Sequence, residues 1–281
     1  ANDPISTNED LSNSFGRKNV NLDWAYMTLT PGKSFGIRPG LVSMNAGKFP
    51  NPIFRVGELV WDDDLSPEGF SQTISLLDKP RGVLDQVRIH ALEWSAAEVS
   101  NGSDAWMFGG QINPLMHIGG AEIEAGLAQY GWVNVDRVAQ NINTNSSLKT
   151  TNLLVKETVG GKSTVTAFQS GFEQTNGALS VTFPNVIGAQ PVKLFGDYVH
   201  NWDAVKAGNG WQAGLRLGQT KVKGDWSLVG YYEQIEQDAV LAMFTYSDFG
   251  PGGTNQEGPV IGAQYQLMNP LTLGVQGAFT N

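Results

Sequence analysis

Apolar and polar side chains alternate along many short segments of this chain, which is the period of a β-strand that presents two different faces. Trp211, Leu215 and Leu217, for example, alternate with Gln212 and Arg216. The apolar face of such a strand is buried in a soluble sandwich, whereas in an outer-membrane barrel it faces lipid and the polar face lines water. The connections between the strands distinguish the two folds.

The alternation predicts an all-β protein with one domain over residues 1–281 and twelve strands. The predicted strands are 19–30, 36–48, 68–77, 83–94, 105–118, 121–133, 174–184, 190–201, 210–220, 225–237, 258–268 and 271–281. Trp or Tyr residues near the strand ends are expected to form belts at the two membrane interfaces. These residues are Trp24, Tyr26, Trp94, Trp106, Tyr130, Trp132, Tyr198, Trp211, Trp226 and Tyr232.

The predicted connections alternate between short and long, and every odd-numbered one is expected to be tight. The long ones are 49–67, 134–173 and 238–257. Membrane barrels carry short turns at one rim and long loops at the other, so this order favours a transmembrane antiparallel β-barrel. Within the longest connection, 153–157 and 163–168 are alternatives for a further strand pair.

The direction of the strands predicts that this chain is an incomplete piece of a longer barrel. If the tight turns are periplasmic, both ends of the chain lie on the extracellular side, whereas single-chain bacterial barrels normally have both termini in the periplasm. We therefore expect at least one further strand at each end and about 14–18 strands in the complete protein.

Composition removes several classes of protein. No run approaches the roughly 20 apolar residues that a membrane-spanning helix needs, so a helical membrane protein is excluded. The absence of cysteine removes disulfides, thiolate catalysis and cysteine-based zinc sites. A net charge of -9 and a sequence pI near 4.8 argue against a nucleic-acid partner, whose phosphates need a basic surface.

The second connection, 49–67, mixes charged residues with large apolar ones, which predicts that it folds into the barrel lumen and narrows the pore. Its carboxylates would then face basic residues on the wall and create a transverse field. The residues predicted to line or constrict the pore are Lys48, Arg55, Glu58, Asp62, Asp63, Asp64, Glu68, Arg88, His90, Lys193, Asp197 and Arg216. The alternative is an ordinary solvated acidic loop.

Asp62 and Asp64 are an alternative pair of calcium ligands, although Pro67 occupies the position where an EF-hand loop requires glycine. Glu233, Glu236 and Asp238 are interpreted as solvated charges at the barrel rim. The three histidines are too scattered for a catalytic triad or a metal site. No catalytic residue and no cofactor are expected.

Three segments resemble the bacterial putative porin family. They are GKFPNPIFRVGELVWDDDLSPEGF (47–70), VKLFGDYVHNWDA (192–204), which leads into the glycine-rich strand 208–218, and DWSLVGYYEQIEQDAVLAMFTYSDFG (225–250). The resemblance spans residues 36–281 and implies an outer-membrane channel for small hydrophilic solutes in a bacterium with two membranes. Members of the family generally have further strands on both sides.

The predicted function is therefore a non-enzymatic porin of the bacterial outer membrane, through which ions and small hydrophilic solutes diffuse passively. Its partners would be outer-membrane lipid and, by analogy with porins of similar size, two further copies in a homotrimer. Two rival classes stay open. One is a soluble, secreted all-β carbohydrate-binding protein or glycosidase, and the other is a plugged barrel that acts as an adhesin or enzyme.

Overall fold

The computed structural model describes residues 22–98, 102–144 and 150–281. Within these residues, twelve strands pair in chain order into one antiparallel sheet, and two more strands form a separate hairpin. The sheet strands are β1 (Ala25–Leu29), β2 (Val42–Lys48), β3 (Glu68–Ser75), β4 (Leu84–Ala97), β5 (Ala105–Ile118), β6 (Ala121–Val133), β9 (Glu173–Ile187), β10 (Gln190–Asn201), β11 (Asn209–Gly218), β12 (Trp226–Ile235), β13 (Gln256–Met268) and β14 (Leu271–Ala278). The all-β prediction is confirmed.

The hairpin lies within the connection between β6 and β9, where a further strand pair was one of the alternatives. It consists of β7 (Leu154–Val159) and β8 (Lys162–Phe168). One short helix, α1 (Asp136–Gln140), and 3-10 turns at Lys33–Phe35 and Asn141–Asn143 complete the regular structure of the described residues. None of the helices in this part of the chain has the length and apolar character needed to cross a membrane.

The beginning of the sheet differs from the prediction. Strand β1 begins at Ala25, and the predicted strand residues 19–21 lie outside the described part of the chain. Strand β2 begins at Val42 rather than at residue 36, because Gly36 and Gly40 turn the chain with φ values of 68° and 76°. The first connection is therefore not tight, and the expectation that every odd-numbered connection is tight is wrong at this position.

The longest connections nevertheless leave the same rim of the sheet. They are 49–67, 134–172 and 236–255, and each is even-numbered among the connections of the sheet. Because consecutive strands are antiparallel, all even-numbered connections lie at one end. We call this end the long-connection rim and the opposite end the short-turn rim.

The two faces of the sheet differ in polarity. Within the strands, Leu127, Ile261 and Val275 are 61%, 61% and 72% exposed, whereas Gln212 is 1% exposed. We call the face that carries these exposed residues the outer face and the opposite face, which carries Gln212, the inner face. Other exposed apolar residues on the outer face are Phe108, Leu179, Leu194, Leu228 and Tyr265. This is the reverse of a soluble sheet, in which the apolar face is covered.

The aromatic residues expected in interfacial belts divide between the two faces. Tyr198 and Trp211 are exposed on the outer face, but Trp94 and Tyr130 are buried on the inner face. The belt prediction is wrong for these two residues and for Trp132, which falls on the same side of β6 as Tyr130 and packs against the core. Trp94 falls on the same side of β4 as the buried Leu92, since residues two apart share a face.

The hydrophobic core lies on the inner face beneath the long-connection rim. We call the inner face of the strands the wall. Phe49, Leu59 and Trp61 of the second connection pack against residues of the wall such as Met107 on β5 and Val199 on β10. A second cluster joins the remaining long connections to the ends of β4 and β5. Its buried members are Ala97, Ala105, Val138, Ala139, Val165, Phe168, Phe172 and Leu241. The long connections thus form a packed cap at their rim.

Candidate functional site

A row of inner-face positions crosses the sheet at mid-height. Asn113 is paired with Arg88 on one side of the sheet. Farther along, Asp197 is paired with Gln212, which is paired in turn with Glu233. Between these polar positions the row passes through Gly126 and Ala178, which are paired with each other. We call it the polar row, and apart from Arg88 its polar residues are at most 7% exposed.

Connection 49–67 lies directly on the polar row. The Phe54 backbone N–H donates to Gln111 Oε1 at 2.8 Å, and Gln111 Nε2 donates back to the Phe54 carbonyl at 2.9 Å. A β-carbon at Gly57 would collide with the Gln212 amide, so the backbone passes closely over β11. Because Gln111 is on β5 and Gln212 is on β11, the connection crosses the inner face of the sheet.

Glycines of the polar row and of the neighbouring inner-face row make room for this crossing. A β-carbon at Gly126 would lie 3.2 Å from the Phe54 ring and 2.8 Å from the Gln111 amide nitrogen. One at Gly210 would lie 3.4 Å from Leu59 Cδ1. Larger side chains at these inward positions would displace the connection.

Hydrogen bonds that involve backbone groups hold the second half of connection 49–67 against connection 236–255. Asp62 Oδ2 accepts the Ser247 N–H at 2.8 Å, and the Asp62 N–H donates to the Phe244 carbonyl at 2.8 Å. Thr245 Oγ1 donates to the Leu59 carbonyl at 2.8 Å. Asp62 is 5% exposed, so these bonds satisfy a buried carboxylate.

The charges of connection 49–67 are partly neutralised within the connection itself. Arg55 forms a 2.9 Å ion pair with Asp63 and donates to the Trp61 carbonyl at 2.7 Å. Glu58 Oε2 accepts the Asp63 N–H at 2.9 Å. Burial raises the pKa of the Glu58 carboxyl from its ordinary 4.5 to about 8, although the Asp63 N–H opposes the shift.

The basic wall residues lie nearer the short-turn rim. Lys193 and Arg216 are directly opposite each other on β10 and β11. Thr182 and Glu122 continue this row across β9 and β6. Glu122 brings a negative charge into the same region, so this part of the inner face carries both signs of charge.

The remaining predicted site residues occupy three different places. Arg88 donates to Gln86 Oε1 at 2.6 Å, and His90, 3% exposed, has Nδ1 3.0 Å from Thr73 Oγ1. Asp197 accepts a 2.6 Å hydrogen bond from Asn176 Nδ2. At the long-connection rim, Lys48 is paired with Glu68, and its ammonium donates to the Ser66 carbonyl at 2.9 Å.

The interpretation of Glu233 and Asp238 as solvated rim charges is wrong, since both are 0% exposed. Glu233 belongs to the polar row, because it falls on the same side of β12 as the buried Ile235. The Asp238 carboxylate accepts hydrogen bonds from Ser170 Oγ at 2.6 Å and from the Leu153 N–H at 3.1 Å. Strand parity alone could have placed Glu233, but no local pattern predicts the partners of Asp238.

The calcium alternative finds little support in the geometry. Asp62 uses one carboxylate oxygen for the Asp64 N–H at 2.8 Å and the other for Ser247. In residues 22–98, 102–144 and 150–281 no cluster of three or more His, Asp or Glu side chains is arranged to hold a metal ion.

Comparison with known families identifies one match. The sequence profile of the family described as Putative porin matches residues 1–188 and 170–279, which together cover nearly the whole chain. Neither the curated proteins nor the solved structures contain a match to it.

Proposed function

This chain belongs to the Putative porin family, and we propose that it forms a water-filled channel across a bacterial outer membrane. Ions and small hydrophilic solutes would diffuse through it passively, without catalysis or a cofactor. The observation that carries this proposal is the division of the sheet into an apolar, exposed outer face and an inner face that carries buried polar residues and, nearer the short-turn rim, the half-buried Lys193 and Arg216. Lipid would cover the first, and water would fill the space beside the second.

In this proposal connection 49–67 constricts the channel. The hydrogen bonds between Phe54 and Gln111 and the close passage of Gly57 over Gln212 support this role, because they hold the connection across the inner face. Packing of Leu59 and Trp61 on the wall favours a rigid constriction over a free loop.

Solute selection would depend on charges that lie at different depths. Asp63 and Glu58 belong to the constriction, whereas Arg88, Lys193 and Arg216 lie on the wall. A solute that passes from the long-connection rim to the short-turn rim would meet the carboxylates of the connection first and then a wall region that carries both bases and Glu122. Opposed charges of this kind order water and screen solutes by charge and dipole.

The proposed membrane environment follows from the apolar residues on the outer face of the sheet. Its apolar strand residues would contact outer-membrane lipid, and by fold-level analogy the complete protein would assemble as a homotrimer. A soluble carbohydrate-binding protein or glycosidase is a poorer explanation, since residues such as Leu127 and Ile261 would then face water in the middle of strands.

A plugged barrel is the second candidate. It is favoured by the burial of Leu59 and Trp61, which shows how much of connection 49–67 packs against the wall. Such a barrel would insert into a membrane but carry no current, and its cap would serve as a binding surface.

Current through single channels separates the two candidates. The complete, detergent-purified protein would be added to a planar lipid bilayer under a salt gradient. We expect stable conductance steps and a reversal potential that reports the ion preference. Insertion without conductance, verified by protease protection in vesicles, would contradict the diffusion channel and favour the plugged barrel.

A further inference from the structure

A cavity of about 210 Å³ lies at the long-connection rim, between connection 49–67 and the ends of β4, β5 and β6 at that rim. Its aromatic lining consists of Trp61, Trp94, Trp132 and Phe244. The volume is below the roughly 300 Å³ at which pockets for drug-sized ligands begin. The cavity is therefore limited to a compact molecule of about one ring.

The aromatic rings form one connected group. Trp132 and Phe244 are nearly parallel, with an interplanar angle of 4° and centroids 5.7 Å apart. Trp61 meets Trp94 edge to face at 5.1 Å. Because Trp61 comes from connection 49–67 and Phe244 from connection 236–255, the group joins two long connections to the wall. Rigid aromatic surfaces of this kind offer apolar faces to a flat ligand.

Three buried hydrogen-bond donors of residues that line the cavity have no partner in the described part of the chain. They are Asn51 Nδ2, Trp61 Nε1 and Trp94 Nε1. Trp94 as a residue is 4% exposed, so its N–H is not compensated by bulk water. An unpaired buried donor is unfavourable, and a ligand with acceptor oxygens would relieve it after small side-chain adjustments.

The cavity also contains one cation and one carboxylate. Lys48 and Glu68 both line it and are paired across β2 and β3. The Lys48 ammonium, which already donates to the Ser66 carbonyl, has further N–H groups for a ligand oxygen. The exposed Glu68 can accept from a hydroxyl group, whereas it would repel an anionic ligand.

We propose that this cavity binds a single neutral sugar ring. Its C–H faces would lie against the aromatic rings, and its hydroxyl oxygens would accept from Trp94, Asn51 and Lys48. Another hydroxyl would donate to Glu68. A sugar supplies donors, acceptors and apolar faces in one compact molecule, as this lining requires. The binding site goes beyond a diffusion channel, and its existence does not depend on conductance.

Ligand-observed saturation-transfer NMR with D-glucose tests the site on the complete protein. The detergent must have an amine oxide head group, because glucoside or maltoside detergents would compete for the cavity. We expect saturable binding with a dissociation constant in the millimolar range. Sodium benzoate, which offers an aromatic ring and a negative charge without hydroxyl donors, should give no saturable signal.

Two variants remove one donor each. Trp94→Phe keeps an aromatic ring but loses the indole N–H, and Asn51→Asp loses the amide N–H while retaining the oxygen that accepts the Ile53 N–H at 3.3 Å. Each should weaken glucose binding about fivefold, as expected for one lost hydrogen bond. Trp211→Phe makes the same chemical change on the outer face and should leave binding unchanged.

The proposal is overturned if the folded wild-type protein binds no glucose, or if Trp211→Phe weakens binding as much as Trp94→Phe. Saturable binding of benzoate in place of glucose would also overturn the assignment to sugars. If Trp94→Phe does not fold, Asn51→Asp alone decides. Channel currents measured separately would distinguish failure of this site from failure of the diffusion channel.

Discussion

The two ends of the inner face are built from different kinds of residue. Toward the long-connection rim, Leu92, Tyr130 and Val199 are buried beneath the cap, with exposed fractions of at most 1%. Toward the short-turn rim, Lys193 and Arg216 are only half-buried and project from the same face. One polypeptide surface therefore changes from a packed core to a charged wall within a few residues of each strand.

This difference separates stability from solute selection. Packed apolar residues stabilise the cap because their removal from water is favourable and because they fill space closely. Half-buried charges contribute little to stability in a high dielectric, but they act on ions that pass nearby. We therefore expect substitutions at the packed end to affect unfolding and substitutions at the charged end to affect permeation.

The largest effect is expected from Leu59→Ala at the packed end. Leu59 is 0% exposed, so the substitution leaves a cavity between connection 49–67 and β11. The free energy of unfolding should fall by about 2–5 kcal/mol. Urea-induced unfolding in lipid vesicles measures this change.

The matched control is Leu76→Ala in a connection at the short-turn rim, where the side chain is 48% exposed. Its effect should stay within about 0.5 kcal/mol. Equal losses in the two variants would mean that connection 49–67 is not packed more tightly than an exposed turn.

The second effect concerns the hydrogen bonds that join connection 49–67 to connection 236–255. Asp62→Ala removes acceptors from the Asp64 and Ser247 N–H groups and should lower the free energy of unfolding by about 1.5–3 kcal/mol. Asp63→Ala is a control in the same connection, since the Asp63 side chain is 71% exposed. It should cost less than about 1 kcal/mol because its ion pair with Arg55 is solvated. A reversed order would contradict the anchoring role of Asp62.

The strands and their faces could be predicted from sequence because both follow from a period of two residues. Parity places Arg88, Asp197 and Arg216 on one face without any knowledge of distant contacts. Whether these residues line a channel stays a prediction. The start of β2 at Val42 is less predictable, because Gly36 and Gly40, which turn the chain before it, are compatible with both strand and turn.

The arrangement of the cap could not be predicted, because its contacts join residues far apart in the chain. Asn152 donates to the Gln237 carbonyl at 2.8 Å and to the Val240 carbonyl at 2.8 Å, across more than eighty residues. Such contacts leave no periodic signal in either segment. For the same reason the interpretation of Asp238 as a solvated loop carboxylate is wrong.

The third effect is a dependence of the free energy of unfolding on pH. It arises from Glu58, which lies in connection 49–67 between the packed end and the charged end of the inner face. The pKa of Glu58 is raised in the folded protein to about 8, so the folded state holds a proton that the unfolded state has released. Between the ordinary pKa of 4.5 and about 8, the free energy of unfolding contributed by this group therefore falls as pH rises. Below 4.5 the group contributes nothing, and above about 8 the loss is constant.

Glu58→Gln should remove this dependence. Thermal unfolding between pH 5 and 9 should show that the variant gains stability relative to the wild type as pH rises, with no further gain above about pH 8. Because the Glu58 carboxyl is half-buried, we expect a smaller effect than for Asp62→Ala. A difference that is independent of pH would contradict the raised pKa.

The smallest effect on stability, and the clearest effect on permeation, is expected at the charged end. Replacing both Lys193 and Arg216 by Gln removes two positive charges that lie opposite each other on the wall. The free energy of unfolding should change by no more than about 0.5 kcal/mol. The reversal potential in a potassium chloride gradient should shift toward cations, because Glu122 then acts on passing ions without opposing bases. Lys221→Gln, in the connection that follows β11, removes a charge outside this row and should not shift it. An unchanged potential in the double variant would place the ion pathway away from this wall, and the charged end would then differ from the packed end in composition but not in function.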